Sequence, residues 1–154
     1  MLLRSLPYAD ADRLVVLWGD NTQIDSQRDP HATSTVKDYT RELTGIGTLA
    51  AVTPQWDFTI SGGDGEPERV PGYFVSGTFL SMLGVQPVMG RLLTPDDDSD
   101  SAPRVTAIGY GLWQRRFGGD PDILGTELQT SEGSATIVGV LPPSFRWRED
   151  ADVW

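Results

Sequence analysis

Histidine and serine chemistry has little support in this chain. His31 is the single histidine, and it lies in a polar stretch with Asp25 and Asp29. A Ser/His/Asp triad needs a serine presented on a sharp turn, and the Gly-x-Ser-x-Gly pattern that presents one is absent. We therefore interpret His31 as a solvated loop residue.

The densest carboxylate cluster consists of Asp96, Asp97, Asp98 and Asp100. Hard oxygen ligands so close together could bind Ca²⁺, but the glycine and the distal glutamate of a calcium-binding loop are missing. We expect Asp96 and Asp97 to cap a turn after Pro95. The sequence thus predicts no metal site.

A second acidic group, Asp64, Glu66 and Glu68, brackets a glycine-rich turn. Paired carboxylates could serve a glycosidase, but no aromatic platform for a sugar lies nearby, so turn formation is the better account. The phosphate-binding pattern Gly-x-x-x-x-Gly-Lys-Ser/Thr is also absent. We predict that the protein is not an enzyme and has no catalytic or cofactor-binding residues.

Arg115 and Arg116 are adjacent cations in a chain whose formal net charge is -10. One interpretation pairs them with Asp120 or Asp122 of the same chain. The other makes them a contact to another domain or subunit. Both interpretations place the two side chains on the outer face of a helix.

The tryptophans offer a second kind of contact, because each buries a large area and several together could line a ligand cleft. Trp147 lies between two arginines, which favours a position against a neighbouring lobe or the membrane interface. The candidates for lining such a cleft are Trp18, Trp56, Trp147 and Trp154. If there is no cleft, we expect core packing for Trp18 and exposure for Trp154. The candidate interaction residues are Arg115, Arg116 and Trp147.

Composition narrows the class of protein. The chain has 154 residues, 38% hydrophobic content and no cysteine, which fits one soluble domain, residues 1–154, or two small lobes. Its acidic surface repels phosphate backbones, so nucleic acid is excluded as a partner. No apolar run reaches the roughly 18 residues of a membrane span. We expect an excised soluble piece of a longer protein.

The N-terminal half predicts several elements. The apolar run 13–18 indicates a buried strand, and residues 21–33 form a polar loop. A helix is expected from Ser34 to residue 42 or 43, with Val36, Tyr39 and Leu43 on its apolar face. Residues 46–52 and 56–60 are predicted strands.

Two hairpins are predicted further on. The glycine-rich turn at 61–67 should return the chain through a strand at 68–76, near a sheet edge because Pro71 cannot donate to a ladder. Residues 126–130 and 134–141 should pair around the turn at 131–133. A strand is also predicted at 104–109.

A weak internal repeat joins two short helices. A shift of 34 residues places Gly77 on Gly111 and Gly84 on Gly118, and Gly90 meets Gly125 after one insertion. Each helix carries an apolar pair four residues apart, which predicts burial of Phe79 with Leu83 and of Trp113 with Phe117. Two β-α-β units predict an α+β fold, a small layered mixed sheet with short helices packed on one side.

The longest distinctive segment is residues 75–91, VSGTFLSMLGVQPVMGR. Together with residues 6–8, 12–15, 105–128, 137–145 and 152–154, in this order, it resembles the extracytoplasmic core domain of permeases in the MacB/FtsX-like class of ABC transporters. The chain is short beside the whole extracytoplasmic region of a macrolide exporter. A second lobe could therefore lie outside it.

The resemblance implies a domain inserted between the first two membrane helices of a permease, on the periplasmic side of the bacterial inner membrane. It implies that a separate cytoplasmic ATPase supplies energy, and that a second permease subunit or a periplasmic protein is a partner. The expected function is a non-catalytic relay of ATP-driven motion to a substrate or partner. The alternative is a free-standing periplasmic module that binds a ligand or peptide.

Overall fold

A computed structural model describes residues 8, 11–17, 19–21, 26–29, 33–43, 45, 47–62 and 65–154. Short 3₁₀ turns lie at Ala11–Arg13 and Pro95–Asp98. The helices are α1 (Thr33–Glu42), α2 (Phe79–Met82) and α3 (Tyr110–Phe117). The strands are β1 (Gly19–Asn21), β2 (Ser26–Asp29), β3 (Trp56–Ser61), β4 (Glu68–Gly72), β5 (Met89–Gly90), β6 (Val105–Ile108), β7 (Glu127–Thr130) and β8 (Gly133–Val140).

The main sheet has the strand order β4-β3-β7-β8-β5, and β6 also pairs with β8. The β6–β8 pairing is parallel and the other pairings in this sheet are antiparallel. Both predicted hairpins, β3–β4 and β7–β8, are confirmed, as is the place of Pro71 on an outer strand. The predicted α+β class is confirmed.

The segment 152–154, here called the closing segment, joins β4 to β6. Val153 forms one bridge with Gly72 of β4 and another with Ile108 of β6. Tyr73 donates its N–H to the Val153 carbonyl at 3.0 Å, and Ala107 and Trp154 exchange two N–H···O bonds of 3.0 Å. The sheet therefore closes on itself, which removes the unpaired edges of an open sheet.

The strand register places one set of apolar side chains on the enclosed face. Phe58 pairs with Val70, Ile60 with Thr130, and Leu128 with Ala135, so these residues share a face. The buried members form one cluster, here called the inner core. They are Phe58, Ile60, Val70, Ile108, Leu112, Ile123, Leu128, Ile137, Val140 and Val153.

A second cluster, here called the outer core, packs on the other face of β6. Its buried members are Tyr73, Phe79, Leu80, Leu83, Val85, Leu93, Ala107, Leu141 and Trp154. Ala107 and Ile108 are consecutive strand residues and so point to opposite faces. Helix α2 belongs to the outer core and α3 to the inner core.

The glycines that follow each helix of the internal repeat occur in both copies. Gly84 and Gly118 follow α2 and α3 with φ of 72° and 61°, and Gly90 and Gly125 have φ of 75° and 83°. Left-handed backbone at these four places explains why glycine recurs there. The second copy contains the parallel β6–β8 pair, whereas β4 and β5, which flank α2, have different neighbours.

The two strands predicted nearest the N-terminus are not found as predicted. The predicted strand at 13–18 is wrong for its described residues, because 14–17 form no regular structure and Val15 is 81% exposed. Trp18 lies outside the described residues. The predicted strand at 46–52 reduces to one bridge between Val52 and Val75. An apolar run alone does not make a strand without a neighbour to pair with.

The polar stretch predicted as a loop at 21–33 contains β2, which pairs with β1. Its sequence, SQRD, shows none of the apolar alternation that announces a strand. The α1 helix is confirmed, and Val36, Tyr39 and Leu43 are half-buried on its predicted apolar face.

Candidate functional site

Arg115 lies at a junction of three elements. Its Nε donates to Glu68 Oε1 on β4 at 2.9 Å, and its two terminal nitrogens donate to the Asp152 carboxylate at 3.1 and 2.6 Å. The Asp152 hydrogen bonds raise the pKa of the guanidinium, against the opposing effect of its partial burial. The side chain remains 43% exposed, so it holds β4 to the closing segment and still faces solvent.

Arg116 is the more enclosed of the two cations, with only 10% of its side chain exposed. It donates to the carbonyl oxygens of Glu66 at 3.0 Å and Gly62 at 3.1 Å. Both carbonyls belong to the connection between β3 and β4. Arg116 therefore holds this connection against α3.

The predicted partners Asp120 and Asp122 are wrong for both arginines. Asp120 Oδ1 instead accepts the N–H of Asp122, and the Asp120 carbonyl accepts Trp113 Nε1–H at 2.9 Å. Leu112 is the buried residue of α3, and Arg116 lies four residues later on the same face. The side chains of Arg115 and Arg116 therefore both reach Glu68 of β4.

The predicted burial of the apolar pairs is confirmed for α2, where Phe79 and Leu83 are 2% and 4% exposed. It is wrong in degree for α3, because Trp113 and Phe117 are half-buried and pack at the margin of the inner core.

Trp147 packs within a row of aromatic rings. Its ring centroid lies 5.7 Å from that of Tyr8 and 4.9 Å from that of Phe79, the latter edge-on. The Tyr8 hydroxyl donates to the Arg146 carbonyl at 2.7 Å. Phe79 in turn stacks at 6.3 Å on Trp154. The row therefore connects an N-terminal residue to the segment that closes the sheet.

Trp154 is 5% exposed, so the predicted exposure of this residue is wrong. Its ring stacks on Tyr73 at 5.0 Å and lies 5.2 Å from Phe145. Its two stacking partners, Tyr73 and Phe79, lie far away in the sequence, so the sequence did not reveal them. Trp56, by contrast, is 51% exposed.

Arg115 and Trp147 line the same surface depression, whose volume is about 390 Å³. Arg116 is not among its lining residues. The depression also presents Tyr110, Phe145, Arg146, Asp150 and Asp152. Aromatic side chains and arginine, both present here, are enriched at protein contact surfaces.

The acidic cluster stabilises local structure. Asp97 accepts the N–H of Thr94 at 2.8 Å in a capping box, and Arg91 binds its carboxylate with two bonds of 2.7 and 2.9 Å. These Arg91 bonds lower the pKa of Asp97 to about 2. Asp98 accepts the N–H of Gly77 at 2.8 Å.

The predicted role of Asp97 as a cap is therefore confirmed. Within the described residues, no group of three or more His, Asp or Glu side chains is placed to hold a metal ion. His31, Asp25 and Asp64 lie outside the described residues.

The fold is that of a small α+β domain built around a closed sheet. Among the described residues, no helix has the length and apolar character needed to cross a membrane. The family model described as the MacB-like periplasmic core domain matches residues 3–154. The chain belongs to this family, as the sequence resemblance predicted.

Two solved structures share the fold. The extracellular domain of the noncanonic ABC-type transporter YknZ from Gram-positive bacteria is similar with a TM-score of 0.58 and 16% identity, over 76% of this chain and 59% of that one. The periplasmic region of MacB from Actinobacillus actinomycetemcomitans gives a TM-score of 0.58 and 18% identity, over 82% and 58%. This chain thus spans less than two thirds of either domain. The curated proteins contain no match.

Proposed function

We propose that this chain is the extracytoplasmic core of an ABC transporter permease and that it relays motion of the membrane helices to a substrate or partner outside the cell membrane. A cytoplasmic ATPase would supply the energy. Membership of the MacB-like periplasmic core domain family, over residues 3–154, carries this proposal. The other partners, a second permease subunit or a periplasmic protein, are proposed on the same ground.

The way in which distant parts of the chain are connected supports a mechanical role. Tyr8 packs on Trp147, Trp147 on Phe79, and Phe79 on Trp154. Trp154 is hydrogen-bonded to β6 through Ala107. A displacement at Tyr8 would therefore reach the closed sheet through ring contacts that end in the buried Phe79 and Trp154, since packed cores deform little.

The contact surface we propose is the depression around Arg115 and Trp147. Arg115 is tied to Glu68 and Asp152, yet its side chain is 43% exposed. Arg116 is more enclosed, and its role in this proposal is to position α3 beneath the surface. A partner binding here would touch α3 and the closing segment together.

The test is Arg115→Glu in the intact transporter, read by export and by ATPase activity together. We expect normal expression but reduced export, with ATPase activity uncoupled or stalled. Arg69→Glu is the matched control, because Arg69 is another salt-bridged arginine, 75% exposed on β4 and outside the depression. Wild-type export and ATPase activity in Arg115→Glu would remove this surface from the mechanism.

The free-standing binding module remains the alternative to a permease domain. The two differ in what the gene encodes before this segment, since only a permease places a membrane helix there. Determining the upstream coding sequence decides between them.

A further inference from the structure

The closed sheet has two ends, which the strand register distinguishes. At one end lie Ser61, Glu68 and Ile108, where β6 leads directly into α3. At the other end lie Trp56 and Gly72, which pair with each other because β3 and β4 are antiparallel. We call these the helix end and the open end.

The helix end is filled. Leu112 of α3 is fully buried and belongs to the inner core with Ile60 and Ile108. Arg116 fixes the same helix to the carbonyls of Gly62 and Glu66 at this end. No comparable helix of the described chain covers the open end.

The open end leads into a cavity of about 290 Å³. Phe58, Thr106, Thr130, Ala135 and Val153 line it from the enclosed face of the sheet. Phe74 also lines it, and its ring lies 5.2 Å from Phe58 while the residue stays 47% exposed. This volume is at the small end of the range for ligand pockets, which often occupy the open ends of barrels.

The polar groups in the cavity wall are already satisfied. Thr106 donates its hydroxyl proton to the Trp154 carbonyl at 2.9 Å. Thr130 donates its own to the Gly133 carbonyl at 2.8 Å. A ligand inside the cavity would therefore meet mainly rings and methyl groups.

The charged residues at the rim argue against an anionic ligand. Arg104 donates to the Glu132 carbonyl. Asp97 is bound by Arg91, and Asp98 accepts the Gly77 N–H. Glu132 adds a further carboxylate beside Arg104, so an anion entering the cavity would meet acidic side chains on the way.

We propose that the open end of the closed sheet binds one small uncharged apolar molecule, such as a compound with two aromatic rings. The ligand packs against the Phe58 and Phe74 rings and contacts Ala135 and Val153. This site lies at the opposite end of the sheet from α3 and its Arg115.

The test uses the 154-residue chain and two fluorophores that differ by one sulfonate. N-phenyl-1-naphthylamine is neutral, and 8-anilino-1-naphthalenesulfonate is its anionic counterpart. We expect saturable one-to-one binding of the neutral probe, at least about tenfold tighter than that of the anionic probe. The absence of saturable binding, or tighter binding of the anionic probe, would overturn the proposal.

Two variants probe the cavity, each with a control. Phe74→Ala removes a wall, and Ala135→Leu fills the space, so each should weaken neutral-probe binding about tenfold. Trp56→Ala removes an aromatic ring that is similarly exposed but does not line the cavity, and Gln129→Leu adds an apolar side chain to the outer face of the same hairpin.

Circular dichroism establishes that each variant is folded before the probe is added. Phe74→Ala changes an exposed residue, so it keeps the test available if Ala135→Leu does not fold. Equal loss of binding in Trp56→Ala and Phe74→Ala would show surface adsorption and refute the cavity.

Discussion

The inner and outer cores share strand β6, yet they are built in different ways. The inner core is enclosed by paired strands, and α3 contributes one fully buried side chain to it, Leu112. The outer core lies outside the closed sheet, where the four-residue helix α2 contributes Phe79 and Leu80. Two helices that look alike in the sequence therefore contribute different numbers of buried side chains to their cores.

The difference shows that position relative to the closed sheet, rather than helix length, decides which residues are buried. An enclosed core is filled mostly by the strands that surround it, and a helix at its end adds a single anchor. The core on the outer face is covered in part by helix residues and by the rings of Tyr73 and Trp154. Five predictions test this account.

The largest loss is expected for Phe79→Ala. Phe79 is 2% exposed and contacts the rings of Trp147 and Trp154, so its removal should lower the free energy of unfolding by about 3–5 kcal/mol. Urea unfolding followed by fluorescence measures it. A loss below about 1 kcal/mol would mean that α2 does not anchor the outer core.

Leu112→Ala should cost about 2–5 kcal/mol, because it opens a cavity in the inner core. Trp113→Ala, one residue along α3, should cost about 1–2 kcal/mol, because that ring is only half-buried. The ratio of the two losses is the observation of interest. If Trp113→Ala cost more than Leu112→Ala, the assignment of the α3 anchor would be wrong.

Gly72→Ala tests the closure of the sheet. A Cβ at this position would lie 2.4 Å from the Val153 carbonyl oxygen and 2.8 Å from the Phe58 ring. We expect a loss of about 1–3 kcal/mol, because the closing segment must move away from β4. Gly47→Ala is the control, since a Cβ there meets nothing within 4 Å. Equal stabilities for the two variants would contradict the closure.

Arg116→Met and Arg115→Met compare the two cations that connect α3 to the sheet. Arg116 is 10% exposed and satisfies two backbone carbonyls, so its loss should cost about 1–3 kcal/mol. Arg115 is 43% exposed, and solvent screening limits its ion pairs to about 1 kcal/mol or less. Thermal and urea unfolding should show a larger loss of stability for Arg116→Met than for Arg115→Met. The reverse order would contradict the different roles assigned to the two arginines.

The smallest expected effect is a loss of folding stability at acidic pH. The pKa of Asp97 is lowered to about 2 in the folded protein from 3.8, so its ion pair with Arg91 stabilises the fold above about pH 4. This contribution, about 1 kcal/mol after screening, is lost as pH falls from 4 through 2. The stability gap between wild type and Asp97→Asn should therefore narrow over that window in urea melts.

Asp96→Asn is the matched control for this pH series, because Asp96 is an exposed neighbour in the same turn. Its stability should run parallel to that of the wild type. A constant gap between wild type and Asp97→Asn from pH 7 to about pH 2 would show that the Arg91 pair does not stabilise the fold.

The sequence by itself determined the two hairpins of the main sheet, the ends of two helices and the family. Glycine-rich turns fixed both hairpins, and the glycine stops after residues 83 and 117 fixed the ends of α2 and α3, because left-handed backbone at these places nearly requires glycine. Several segments in the right order, of which 75–91 is the longest distinctive one, indicated the family that the chain then matched over residues 3–154. Each of these signals depends on residues close together in the chain.

Tertiary structure alone decided how the sheet closes and where each side chain ends up. Val153 pairs with β4 and β6, and Arg115 reaches Glu68 rather than its neighbour Asp120. Val15 is exposed although its run is apolar, and Trp154 is buried although its partners are remote. These outcomes depend on which distant strands meet, and a local pattern cannot specify them because it records periodicity and not the partner that covers it.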